Sequence, residues 1–167
     1  RTGTSGVGGD DAAYRIALDY QTGRFGFTGQ HLGVGPEAAA EAGFITRTDI
    51  RQSDTFTRLT FRPKAFGLRT VQIFYVGVYT TRMDGLRMDT NNGVALDHNF
   101  NSGESVTLFA NSGRSRVDEE FDLSDSVTVA AKDYYNSNAG IFASTSAARP
   151  VSANIFAQQE WNYGGSV

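Results

Sequence analysis

Leu86-Arg87-Met88-Asp89-Thr90-Asn91-Asn92-Gly93-Val94-Ala95-Leu96-Asp97-His98-Asn99-Phe100 is the stretch whose reading decides the fold. Leu86, Met88, Thr90, Asn92, Val94, Leu96, His98 and Phe100 share one parity, and the other parity is almost wholly polar. A period of two places these sets on opposite faces of a β-strand. At ~3.3 Å per residue the run extends about 50 Å, well beyond the ~5 to 6 residues of an ordinary strand. A strand this long, polar on one whole face, favours a barrel whose sheet projects beyond a bilayer.

The same period recurs on both sides. Tyr14, Ile16, Leu18 and Tyr20 alternate with Arg15, Ala17, Asp19 and Gln21 before a turn at Thr22-Gly23. Phe25 and Phe27 continue on a second strand, but Leu32 and Val34 fall on the other parity, which predicts a bulge near Gly29. Pro36, Glu37 and the following alanines predict one short helix near 36–42, closed by Gly43. Strands resume through Thr55 to Phe61 and from Leu68 to Arg82, the latter apolar on both faces around Phe74 to Val78. Beyond the turn at Asn101-Ser102-Gly103 come Val106 to Ala110, then a strand starting at Val127 and leading into Tyr134 and Tyr135. A closing hairpin turns at Arg149-Pro150, giving eight or nine strands in all.

Composition narrows the classes of function. No cysteine is present, so disulfides, thiolate metal sites and cysteine nucleophiles are excluded. The net charge of −3 comes without a basic stripe, which argues against nucleic acid as a partner. No run approaches the ~20 apolar residues of a spanning helix, so contact with a membrane would be made by strands. The 19 glycines and 12 phenylalanines suit many strands, tight turns and an aromatic-rich surface.

Alternation alone does not separate a barrel from a soluble sandwich, because both alternate. Strand length, short turns, only two lysines (Lys64 and Lys132) and aromatics near strand ends favour the barrel. On this reading Tyr14, Tyr20, Phe100, Trp161 and Tyr163 are membrane-interface aromatics. Arg47, Asp49 and Arg51 have the spacing of a charge ladder on one strand face, at the lumen or its rim, with Asp49 between both arginines. Arg87, Asp89 and Asp97 add mixed charge to the same interior. The rival is a soluble carbohydrate- or partner-binding β-sandwich using Trp161, Tyr134 and Tyr135.

Signals for chemistry are weak. His31 and His98 are the only histidines, and neither accompanies a nucleophile elbow. Asp97, Asn99 and Asn101 approach a calcium loop, but Gly103 falls one residue late and Leu108 stands where a glutamate is needed. The acidic clusters Asp10-Asp11 and Asp118-Glu119-Glu120 read as solvated loops. Gly6 to Gly9 lacks the helix that a phosphate cradle requires. No catalytic residue, cofactor or metal is expected.

Several short motifs, in order, carry a resemblance: Gly43-Phe44-Ile45-Thr46-Arg47-Thr48-Asp49-Ile50-Arg51, Arg62-Pro63, Phe100-Asn101-Ser102-Gly103, Glu120 to Leu123 with Val127 to Val129 and Tyr134, and Trp161 to Gly165. Together they resemble the bacterial outer-membrane domain of unknown function that follows a family 9-like carbohydrate-binding module. The alanines at 38–42 and Ala131-Lys132-Asp133 depart from its pattern. The resemblance implies a Gram-negative outer-membrane location and no known catalytic residues. Its implied partners are outer-membrane lipid and lipopolysaccharide, the barrel-assembly machinery and an N-terminal carbohydrate-binding-like domain. The expectation is an all-β antiparallel meander, residues 1–167 forming part of one β-barrel domain whose upstream and downstream strands lie outside it. Its role would be structural, anchoring or transport.

Overall fold

The computed structural model describes residues 12–38, 47–124, 127–162 and 165–166. The fold is all-β. Strands β1 (Ala13–Gln21), β2 (Phe25–Val34), β3 (Ile50–Phe61), β4 (Leu68–Arg82), β5 (Arg87–Phe100) and β6 (Ser105–Arg116) pair in chain order. After a small hairpin, β7 (Phe121–Ser124) with β8 (Val127–Val129), the sheet continues through β9 (Asp133–Ser144), β10 (Asn154–Asn162) and the short β11 (Gly165–Ser166). All pairs in this nine-stranded meander are antiparallel.

Register converts the alternation along each strand into two continuous faces. On one, Phe25, Leu59, Ile73, Leu96, Leu108, Ile141 and Ala157 stand side by side across seven strands. The row on one side of it holds Tyr20, Phe27, Tyr75, Val94 and Ala110, and the row on the other holds Phe61, Val71, Val106 and Ile155. The opposite face carries Arg15, Gln30, Asp54, Gln72, Asp97, Thr107, Asn111 and Asn138. The doubly apolar β4 divides accordingly: Ile73 and Tyr75 join the apolar face, while Phe74, Val76 and Val78 lie on the polar one.

Three sequence expectations are corrected. No bulge occurs at Gly29, since β2 keeps unbroken register with both neighbours. Leu32 and Val34 change face without one, because they join Ile50 and Ala38 in a small apolar cluster on the polar side. In the nine-stranded sheet the register shifts lie instead at both ends of the β4–β5 pair.

Pro36-Glu37 form a turn and not the start of a helix, with Ala39 to Ala42 outside the described residues. There the Gly35 carbonyl accepts from Ala38 N and Asp49 N, both at 3.3 Å, which closes the turn. Val127 to Val129 do not lead into Tyr134; they fold back on β7, and β9 begins separately at Asp133.

Only Val34, Ala38, Ile50 and Met88 are buried apolar residues among those described. Ile16, Leu18, Val94 and Ile155 are more than half exposed on the apolar face. Among the described residues, then, one layer owes its order mainly to the backbone ladder and to cross-strand pairs.

Close approach matters most at Gly33 and Gly140. The Tyr14 ring covers Gly33, and at Gly140 a Cβ would meet Ala157 O at 2.6 Å and Phe109 Cζ at 2.6 Å. Because the Ala157 contact is backbone, Gly140→Ala is expected to cost about 1–3 kcal/mol in equilibrium unfolding followed by far-UV circular dichroism. Gly23→Ala, with open space around it, should stay within about 0.5 kcal/mol of the parent.

Candidate functional site

The polar face is laced strand to strand by side-chain hydrogen bonds. Arg15 Nε donates to Gln30 Oε1 at 2.9 Å, Gln30 donates to Asp54, and Gln52 Nε2 donates to Asp54 Oδ1 at 2.8 Å, joining β1, β2 and β3. Gln72 Nε2 donates to Thr60 Oγ1 at 3.1 Å, Thr107 Oγ1 to Asp97 Oδ1 at 2.8 Å, and Asn111 Nδ2 to Asn138 Oδ1 at 2.7 Å. Cross-strand pairing puts these groups opposite one another, so the alternation that sends apolar side chains one way also assembles this network.

At the end of the sheet bearing segments 35–49 and 117–132, charges alternate along the rim. Arg47 Nη1 pairs with Asp89 at 2.6 Å. Asp49 faces Arg82 at 3.9 Å, Arg82 reaches Asp118 at 2.9 Å, and Asp118 accepts from Arg116 Nε at 2.7 Å. Arg116 approaches Asp133 at 3.7 Å, and Asp133 pairs with Arg114 at 2.7 Å. Each exposed pair is weak alone, but the chain of them ties segment 117–132 down at Asp118 across the ends of β4, β6 and β9.

The expected Arg47–Asp49–Arg51 ladder does not form. Asp49 bends the chain at φ 56° before β3 begins at Ile50, which breaks the alternation on which the ladder depended. Arg47 pairs instead with Asp89, and Asp49 with Arg82. Arg51 stands opposite Gly33 and Thr81 on the apolar-parity side and has no ion pair among the described residues. Asp89 and Asp97 lie together on the polar face, opposite Thr80 and Gln72. Arg87 is set apart from them by the register shift, and its carbonyl accepts from Arg114 Nη1 at 3.3 Å.

The aromatics expected at a membrane interface fall at the two ends of the sheet. Tyr14 and Trp161 stand on the apolar face toward the charged rim. Tyr79, absent from the sequence-based set, and Tyr135, expected there only as an aromatic of the rival sandwich, share that face and end, and only register could place them there. Tyr20 lies at the short-turn end, 6.1 Å from Phe25 between ring centroids, and Phe100 closes β5 there opposite Leu68. Tyr163 lies outside the described residues. Tyr134 stands on the polar face under Lys132 Nζ, so Trp161, Tyr134 and Tyr135 do not form one platform.

His31 Nδ1 contacts Ser53 Oγ at 2.8 Å, and its Nε2 contacts the Tyr14 hydroxyl at 3.3 Å. A phenol occupies the place where a triad would hold a carboxylate, and Asp54 points to the opposite face. His98 stands between Val71 and Val106 on the apolar face. Asp97 accepts from Asn99 and Thr107 within the sheet, so both of its carboxylate oxygens are engaged there.

Searches of the sequence against protein-family models and curated proteins, and of the structure against solved structures, returned no match.

The hydrogen bond from Arg116, with the charge of Arg82 adding to it, holds the Asp118 carboxyl below its ordinary value of 3.8. A depressed folded value means that the clasp is intact above 3.8 and is lost as pH falls through the lower folded value. Amide exchange in segment 117–132, corrected for its intrinsic pH dependence, should accelerate only below that range. Asp118→Asn should produce the same acceleration at neutral pH.

Proposed function

We propose that this sheet is part of an outer-membrane β-barrel, its apolar face against lipid and its polar face toward a hydrated lumen, with a structural, anchoring or transport role. The observation that carries this reading is the exposed apolar row across seven strands, backed by a hydrogen-bonded polar face and by no second layer among the described residues. A soluble sandwich would have to cover the apolar row.

Three further features support it. Along β4 the apolar face from Val71 to Tyr79 spans about 27 Å at ~3.4 Å per residue, of the order of the ~25 Å band of such barrels. Aromatics stand at both ends of the band. The two longest connections, 35–49 and 117–132, share one end with the 83–86 turn, whereas 22–24, 62–67, 101–104 and 145–153 at the other are shorter than either, which fits surface loops gathered on one side. The mixed charges of the polar face suit a narrow or plugged lumen better than a pore selective for one sign of ion.

Among the described residues β1 pairs only with β2, and β11 only with β10. Open edges are untenable in hydrocarbon, so this reading requires further strands, from the same polypeptide or from another copy, to close the barrel. The resemblance noted above fits the same address.

The test is membrane partition of the full polypeptide. The parent should float with vesicles after an alkaline wash. Leu108→Arg, on the apolar row, should lose most of that fraction, in line with ~2–4 kcal/mol for an arginine facing lipid, whereas Asn91→Arg on the polar face should retain it. A detergent-free, monodisperse protein that never partitions would overturn the reading.

A further inference from the structure

The polar face has an apolar interruption that neither strand pairing nor the charged rim uses. Phe142 and Phe156 are directly opposite each other on β9 and β10, and Phe109 stands diagonally beside them on β6. The Phe109 ring reaches over Gly140, and its plane lies 9° from that of Phe156 with centroids 6.0 Å apart. The result is a stepped platform of two nearly parallel rings. Phe156 is 61% exposed and Phe142 37%, so water wets a surface that costs free energy to leave open.

What borders the platform specifies what would cover it. On one side the Asn111 and Asn138 amides, hydrogen-bonded to each other, line a cleft of about 310 Å³ with Asn91 and Asn136. On the other, Thr107 and Asp97 stand in the row next to Phe109. The carboxylates Asp97 and Glu160 are the ionisable groups in the rows bordering the step, and Lys132 lies farther off, over Tyr134 toward the charged rim. Apolar rings flanked by amide donors and acceptors, with negative charge nearby, match a pyranose. Its C–H face packs on an aromatic ring while its hydroxyls radiate in plane toward hydrogen-bonding groups, and nearby carboxylates disfavour an anionic ligand.

We propose that Phe109 and Phe156, with Asn111 and Asn138, form a binding subsite for a neutral oligosaccharide, one sugar ring lying on the aromatic step and its hydroxyls meeting the amides. This rests on the reading that the polar face is wetted. Phe142, in the row of Phe156 on the strand between β6 and β10, widens the platform, so successive sugar rings would follow the slant from Phe109 to Phe156 across β6, β9 and β10.

The test uses the full polypeptide in a detergent without a sugar headgroup, titrated with maltohexaose, cellohexaose and a galacturonic acid hexamer by calorimetry. Circular dichroism checks the fold of each variant. Saturable binding of a neutral hexasaccharide is expected, with the uronate hexamer at least about tenfold weaker. Phe156→Ala should weaken binding about tenfold or more, Phe156→Trp should preserve or tighten it, and Asn138→Ala should weaken it roughly three- to tenfold. Failure of the folded parent to bind either neutral hexasaccharide, equal binding of the uronate, or indifference to Phe156→Ala would overturn the proposal. Vesicle flotation is scored separately. Binding without flotation removes the membrane reading and keeps the subsite, and flotation without binding does the reverse.

Discussion

The antiparallel register from β1 through β6 to β9 and β10, continuous across the middle of every pair, is the constraint on which everything else depends. With a side-chain period of two, a slip of one residue in any pair would send apolar groups to the polar face and charges to the apolar one. The central registers of β3 with β4, β4 with β5 and β6 with β9 run without a shift, and the irregularities of the β4–β5 pair are confined to its ends. The apolar row, the polar lacing and the aromatic step on β6, β9 and β10 are three consequences of one ladder.

A sheet of this width with four buried apolar residues among those described departs from the way a globular domain is held together. Burial of apolar surface usually supplies the dominant favourable term, and here that surface is displayed. The same exposure makes the proposed membrane setting coherent. Lipid would cover the apolar row, and the polar lacing would keep side-chain donors and acceptors satisfied on the opposite side.

The two ends of the sheet differ in their chemistry. At the short-turn end, Arg149 pairs with Glu104 and joins the 101–104 turn to the 145–153 connection. Hydrogen bonding from Ser102 and from its own backbone amide, with Arg149 nearby, keeps the Glu104 carboxyl below its ordinary value. At the other end the ion pairs run across several strand ends and hold a segment that carries its own hairpin. One end has a single ion pair between two connections; the other has a chain of them across several strand ends.

Local alternation was enough to read the all-β class, the long strands at 68–82 and 86–100, and the closing hairpin, because a strand's period is written in neighbouring residues. It also placed Asp89 and Asp97 on a common face. Parity failed where contacts distant in sequence decide. Leu32 and Val34 looked like the product of a bulge, until Ile50 and Ala38 supplied a local apolar patch on the polar side. Arg47, Asp49 and Arg51 looked like a ladder, until the positive φ of Asp49 turned the chain and gave its partners to Asp89 and Arg82. The grouping of Phe109, Phe142 and Phe156 was invisible in the sequence because they come from three strands. Only the tertiary register, set by hydrogen bonds between residues tens of positions apart, could bring those rings together beside Asn111 and Asn138.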